Sequence, residues 1–252
     1  MTAVPGDTLQ ASKLAIRERV WKLLQARGAV PTPDVHGRIP DFIGSAEAAA
    51  RLASLPAWED AQIVKAVPDK AQLPVRARAL SEGKLVYMAV PKLADPRPFY
   101  LLDPARLTRP PDEAASSRVA ATDAPKVSIA ELRPIDLIVC GSVAVNRGGE
   151  RIGKGAGYSD LEVALLHDAG LIGPRTVIVT TVHQLQVLDE PLPTAAHDFE
   201  VDLIATPDEV ITCKPSRRRT GILWHDLPAD YIDAIPVLAS LSRQRRVGVK
   251  PN

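Results

Sequence analysis

Two cysteines in 252 residues, Cys140 and Cys213, are too few to staple a domain with disulfides. They stand far apart, with no CxxC pair and no metal-ligand spacing, which excludes a structural zinc site of the usual kind. Cys140 lies inside an apolar run and reads as a buried, reduced thiol, so the expected compartment is the cytoplasm. Aromatic residues are scarce at 4%, and the formal net charge is only +1. No global field draws such a chain onto nucleic acid or a membrane surface. No apolar run approaches the roughly 20 residues of a membrane span. The N-terminal "MTAVPGDTLQ" lacks the basic-then-apolar build of a signal peptide. No internal repeat or low-complexity segment is visible.

What is present is an ordinary globular composition, 46% hydrophobic and 24% charged, with 23 prolines punctuating the apolar runs. The expected organisation is a single α/β domain over 1–235 and a frayed, basic tail over 236–252. Residues 8–27 read as a helix, with Ile16, Val20, Leu23 and Leu24 on one face. Lys13 and Arg17, four apart, share one face, and the simplest reading of such a pair is a solvated face. "SAEAAARLASLPAW" reads as a second helix, and "PDKAQLPVRARALSEG" as a third, stopped by Gly83. "QIVKAV", "KLVYMAVP", "FYLLD", "TVIVTTV", "VDLIATP" and "EVITC" read as strands. "PIDLIVCGSVAV" is the strongest strand, apolar enough to be buried on both faces. Residues 104–128 carry no period and read as an extended surface loop. Strands alternating with helices predict a mostly parallel sheet covered on both faces.

The most unusual stretch is "RIGKGAGYSD", residues 151–160. Glycines at 153, 155 and 157 remove three Cβ atoms, so backbone N–H groups can converge and a ligand can approach the main chain. The helix that follows adds its N-terminal dipole, and Arg151 and Lys154 add formal charge. The stretch is built like a phosphate cradle, although it is neither a P-loop nor a GxGxxG fingerprint. A flexible glycine turn between strand and helix fits the spacing equally well. Asp160 either complements the helix dipole or, beside bound phosphates, holds magnesium. His36, His167, His183 and His225 show no pairing.

At these residues the chain resembles the 5-formyltetrahydrofolate cyclo-ligase family. The family's strand, turn and "G-x-R-L-G-x-G-x-G-Y-Y-D" run aligns with "IDLIVCGSVAVNRGGERIGKGAGYSD", Asp136 to Asp160 staying in register. A Gln before a proline turn and an "H-D" before a strand match Gln186 and His197–Asp198. The Lys and Arg of the family's first helix match Lys13 and Arg17. The overlap runs over about 12–213. It is closer still to the divergent methenyltetrahydrofolate synthetase domain-containing branch, through "IRERVW", "RIPDF", "GSVAV", "RIGKGAGYSDLE" and "KP…GILW". Animal members of that branch carry an RNA-recognition module after this domain, and no aromatic RNP-like strand stands here.

The resemblance implies a three-layer α/β/α, Rossmann-like fold of the NagB/RpiA/CoA-transferase kind. It implies ATP- and Mg2+-dependent closure of 5-formyltetrahydrofolate to 5,10-methenyltetrahydrofolate, with ADP and phosphate released. Lys13, Arg17, Arg151 and Lys154 become the expected catalytic cations. Lys13, Arg17, Gly153, Lys154, Gly155, Gly157 and Tyr158 become the ATP-binding set. Asp69, Tyr158, Ser159 and Gln186 face the folate, and Asp160 and Asp198 hold the metal. The expected partners are ATP and a folate-like molecule, with no membrane, and the expected state is a monomer or small homo-oligomer.

Three departures fall mainly on the folate side. Ser159 stands where the family has an aromatic, Asp69 where it has Glu, and Cys140 where it has Pro. They motivate a second hypothesis, a nucleotide-binding relative with another substrate. The basic runs "SRRR" at 216–219 and "RQRR" at 243–246 motivate a third, a non-catalytic RNA-binding protein. A solvated basic surface is the simpler account of both runs.

Overall fold

The computed structural model describes residues 5–215 and 221–246. The strands are β1 (Ile63–Ala66), β2 (Leu85–Ala89), β3 (Phe99–Leu102), β4 (Lys126–Val127), β5 (Leu137–Cys140), β6 (Ala144–Asn146), β7 (Arg151–Ile152), β8 (Val177–Thr181), β9 (Val187–Leu188), β10 (Leu203–Ala205) and β11 (Val210–Thr212). Among the described residues, eight of them form one sheet in the order β11-β10-β8-β5-β1-β2-β3-β4. The centre, from β10 to β2, is parallel. The outer strands β3, β4 and β11 are antiparallel. A second, small sheet has the order β7-β6-β9.

Alternation along the central strands sends side chains to opposite faces. Val64, Ala66, Val86, Met88, Leu137 and Val139 face one layer, which contains α2 (Ser45–Ala53), α3 (Pro56–Glu59) and α4 (Leu73–Ser81). Ile63, Tyr87, Ala89, Ile138, Cys140 and Ile178 face the other, where Val163 and Leu166 of α7 (Tyr158–Asp168) pack. This is the expected three-layer α/β/α arrangement. The first helix, α1 (Pro5–Ala26), lies on the small sheet, with Val20, Trp21 and Leu24 packed against Val143, Ala144 and Ile152.

Several local expectations give way to tertiary structure. "PIDLIVCGSVAV" is two strands: β5 ends at Cys140, and after Gly141 and Ser142 the chain enters β6 of the other sheet. Continuous hydrophobicity hid the crossing because both strands are fully buried. Residues 104–128 are no loose loop. They contain α5 (Pro111–Ala114), α6 (Ser117–Asp123) and β4, with Ala114, Ala115 and Ala120 in the core. Pro56 divides the second expected helix into α2 and α3. α8 (Ala229–Ala234) leads to α9 (Pro236–Arg246), so the described part of the expected tail is helical, and Ile235, Val237 and Leu238 bury against Leu161 and Leu165 of α7; 247–252 lie outside the described residues. The run at 216–219 lies outside the described residues.

Candidate active site

In a parallel sheet, ligands sit beyond the carboxyl ends of the strands, where successive connections leave in opposite directions. Here that point lies between β1 and β5, because β2 follows on one side and β5 and β8 on the other. A cleft of about 300 Å³ opens there. Its floor includes Val67, Pro68 and Asp69 after β1, Val90, Pro91 and Lys92 after β2, and Gly141 after β5. The 151–160 segment, α1 and the loop bearing His197 and Asp198 close around it.

The cleft gathers nearly every residue expected from sequence. Lys13, Arg17, Asp69, Arg151, Gly153, Lys154, Gly155, Gly157, Tyr158, Ser159, Asp160 and Asp198 all line it. Lys13 and Arg17 are not on a solvated face: they are 5% and 8% exposed. They continue the buried stripe of Val20 and Leu24 toward the helix N-terminus, so docking that stripe on the small sheet brings them to the glycine segment. Arg17 Nε donates to Gly153 O at 2.8 Å, tying α1 to the turn. A Cβ on Gly155 would sit 3.3 Å from the Arg17 guanidinium carbon, and Gly155 has φ +103°. Gly157, at φ +71° and ψ −4°, caps α7 in the left-handed region. Both glycines are therefore favoured by backbone conformation, and Gly155 by space as well.

Gln186 is the exception. It does not line the cleft. Its amide donates to Ser142 O at 2.9 Å and Val143 O at 3.1 Å and accepts from His183 N at 2.8 Å. A buried amide with all these contacts braces the β5–β6 crossing and has little left for a substrate.

Charge in the cleft is organised in pairs. Lys13 bonds Asp198, whose Oδ2 also accepts from Ala195 N at 2.6 Å. Lys154 lies 3.2 Å from Asp69. Beneath them Lys65 of β1 bonds Glu162 of α7, both buried. Arg151 Nη1 is 3.7 Å from Asp160 Oδ1, too long for a hydrogen bond, and its guanidinium stacks 4.2 Å from the Phe199 ring centre. Burial pushes the Arg151 pKa down, but Asp160 and further negative neighbours outweigh it and the net shift is upward. For Arg17, burial wins over Asp198 and the shift is downward. Both remain cations at neutral pH, since guanidinium starts far above it.

Arg151 Nε and Asp160 Oδ1 are buried without a hydrogen-bond partner. Orphaned polar atoms of opposite sign, on two residues that line one cleft, fit a ligand that offers both oxygen acceptors and a cation. Among the described residues no cluster of three or more His, Cys, Asp or Glu could hold a metal by itself. Magnesium needs no such cage, since it is commonly held by one or two carboxylates together with substrate phosphates.

Sequence reasoning missed Lys92, Gln10 and Glu162, which line the cleft, and Tyr231 of α8. The Tyr231 ring stacks on Tyr158 at 6.3 Å, 30° from parallel. The "DLE" run that begins at Asp160 could have flagged Glu162. The other three carry no local signal.

The 5-formyltetrahydrofolate cyclo-ligase family model matches residues 9–207. Methenyltetrahydrofolate synthase domain-containing proteins are similar: that of Mus musculus is 36% identical over 94% of this chain and 65% of its own length. That of Homo sapiens is 34% identical over 94% and 63%. The chain thus spans less than two thirds of the length of these relatives. Aquifex aeolicus 5,10-methenyltetrahydrofolate synthetase, solved by NMR, shares the fold at a TM-score of 0.51 and 20% identity, covering 84% of this chain and 98% of its own. Among the described residues no helix is long and apolar enough to cross a membrane. With the motif residues gathered in one cleft and the matched span running from α1 to just past β10, the chain belongs to the 5-formyltetrahydrofolate cyclo-ligase family.

Proposed function

We propose that the chain is an ATP- and Mg2+-dependent cyclo-ligase that closes 5-formyltetrahydrofolate to 5,10-methenyltetrahydrofolate, releasing ADP and phosphate. The observation that carries this reading is the convergence of Lys13, Arg17, the glycine segment, Asp160, Asp198 and Asp69 on one cleft. Bound ATP supplies the phosphoryl group that makes the formyl oxygen a leaving group, and magnesium offsets the charge of its phosphates. The protein's part is positioning and charge neutralisation. Lys13, Arg17, Arg151 and Lys154 hold the phosphate oxygens, and the backbone N–H groups of Gly153, Gly155 and Gly157 add donors. Asp160, whose buried Oδ1 faces Arg151 but accepts no hydrogen bond, is the better metal ligand. Asp198 serves only when Lys13 transfers to phosphate. Asp69, Tyr158 and Ser159 face the folate and align its neighbouring bridge nitrogen, the amine outside the pterin ring, with the activated carbon.

A second reading keeps the nucleotide site and changes the substrate. Asp69 is bridged to Lys154, and Ser159 offers less stacking area than an aromatic, so the folate end departs furthest from the family pattern. One experiment separates the two. Purified protein, 5-formyltetrahydrofolate, ATP and magnesium are mixed and the near-ultraviolet band of the methenyl product is followed. Product that needs ATP and is lost in Lys154→Ala supports the cyclo-ligase. Lys154-dependent ATP binding without product overturns it in favour of another carbonyl or carboxylate substrate.

A further inference from the structure

The exit from β2 carries strain with no marker in the sequence. Pro91, Lys92 and Leu93 form one tight turn, Leu93 N donating to Val90 O at 2.9 Å and Ala94 N to Pro91 O at 3.3 Å. Lys92 has φ 60° and ψ 14°, and Leu93 has φ 50°. Among the described residues these are the non-glycine positions with positive φ. L side chains avoid this region, and neither residue is the Asn or Asp that tolerates it. Strain of this kind persists only where surrounding structure enforces it, and it concentrates at functional sites. Leu93 accounts for half of it. Its side chain is 0% exposed, packed with Leu161, Leu165 and Leu238. Lys92 gains no such burial. It is exposed and lines the cleft.

Its charge is also unspent. Asp69, Asp160, Glu162 and Asp198, the acids lining the cleft, are paired with Lys154, Arg151, Lys65 and Lys13. The nearest acid along the chain, Asp95, bonds Lys126 at 2.6 Å. Among the described residues Lys92 makes no ion pair. It stands after β2, and β2 adjoins β1 on the side away from β5. Lys92 and Asp69 therefore leave neighbouring strands onto the floor of the same cleft. A lone ammonium there reads charge more than shape, because it is a flexible point donor.

We propose that Lys92 is a substrate-binding residue that pairs with a carboxylate of the second substrate, the glutamate tail of the folate. The assignment rests on the cyclo-ligase reading. Calorimetric titration tests it with three probes: 5-formyltetrahydrofolate, its analogue lacking the glutamate, and Mg-ATP. Lys92→Gln removes the charge and keeps the backbone strain, with a polar side chain one atom shorter. It should weaken 5-formyltetrahydrofolate binding about tenfold, the worth of one charge-assisted contact. It should also flatten the salt dependence of that binding. Lys92→Arg should restore most of the loss, and Mg-ATP should bind all variants alike. The glutamate-free analogue should bind wild type and Lys92→Gln equally.

Folate binding that Lys92→Gln leaves intact, or weakens equally for the glutamate-free analogue, overturns the assignment. A selective loss of Mg-ATP affinity also overturns it and moves Lys92 to the phosphates. Wild-type protein that binds Mg-ATP but no folate overturns the cyclo-ligase reading itself, and the Lys92 assignment with it.

Discussion

The Lys65–Glu162 pair is the most demanding test of how the cleft is supported. Lys65 lies in the middle of a central strand with 0% exposure, and Glu162, one turn into α7, has 4%. Neither charge reaches bulk water, so each depends on the other. Glu162→Gln leaves an ammonium buried against an amide, and Lys65→Met leaves a carboxylate against a thioether. Removing one partner of a buried pair costs about 3–5 kcal/mol, whereas replacing both with apolar groups is often neutral or better. In a chain of this size 1 kcal/mol moves the melting point by about 2–4 °C, so each single variant should melt about 6–20 °C lower. Lys65→Met/Glu162→Leu should return to within about 2 kcal/mol of wild type. Urea unfolding, followed through the fluorescence of buried Trp21 and Trp58, gives all four corners of the cycle. Single variants that each lose under about 1 kcal/mol, or a double variant whose loss is their sum, would refute the reasoning.

Other outcomes follow from the same geometry. Gly155→Ala should cost about 1 kcal/mol in stability through its φ of +103° and displace the Arg17 guanidinium 3.3 Å away, so calorimetry should show Mg-ATP affinity falling more than stability does. Tyr231 is pushed up to about 12 by burial first, then by Tyr158, Asp160 and Glu162. A phenol whose folded pKa exceeds its unfolded value near 10 adds stability that is full below pH about 10 and is lost as pH rises toward 12. Denaturation midpoints should fall through that window, and fall less in Tyr231→Phe. Burial also pushes the Cys140 thiol up, and Cys213 rises to about 11. Both should resist alkylation at pH 8 and react once urea unfolds the chain, as read by intact mass.

What could be read from sequence was what the chain encodes locally. Glycines at alternate positions after a buried strand mark the turn because backbone freedom is a property of those residues alone. The alternation of strands and helices likewise points to the layered sheet. Lys13 and Arg17 show the limit. Their spacing defines a face of α1, but only the docking of Val20, Trp21 and Leu24 decides that this face meets the glycine turn. Family resemblance supplied what periodicity could not, though it also carried Gln186 into the substrate set, where its amide is held by Ser142 and Val143 carbonyls. The stretch 104–128 lacked a helical period because α5 and α6 are about one or two turns long, too short for a stripe to repeat. Lys92 was invisible for the opposite reason: its left-handed backbone and its place on the cleft are set by tertiary structure, and no neighbour in sequence marks them.

The pairing of acids with cations across the cleft has a thermodynamic corollary. A polyanion arriving there meets ammonium and guanidinium groups whose charge is already balanced from within. Its binding is an exchange of counter-ions in which Asp198, and Asp160 beside Arg151, give up their cations to the newcomer. Carboxylates set free in that exchange sit next to fresh negative charge, a position that only a second cation makes comfortable. On the proposed reading, nucleotide and divalent ion are therefore positively coupled: each should bind the protein more tightly in the presence of the other than alone.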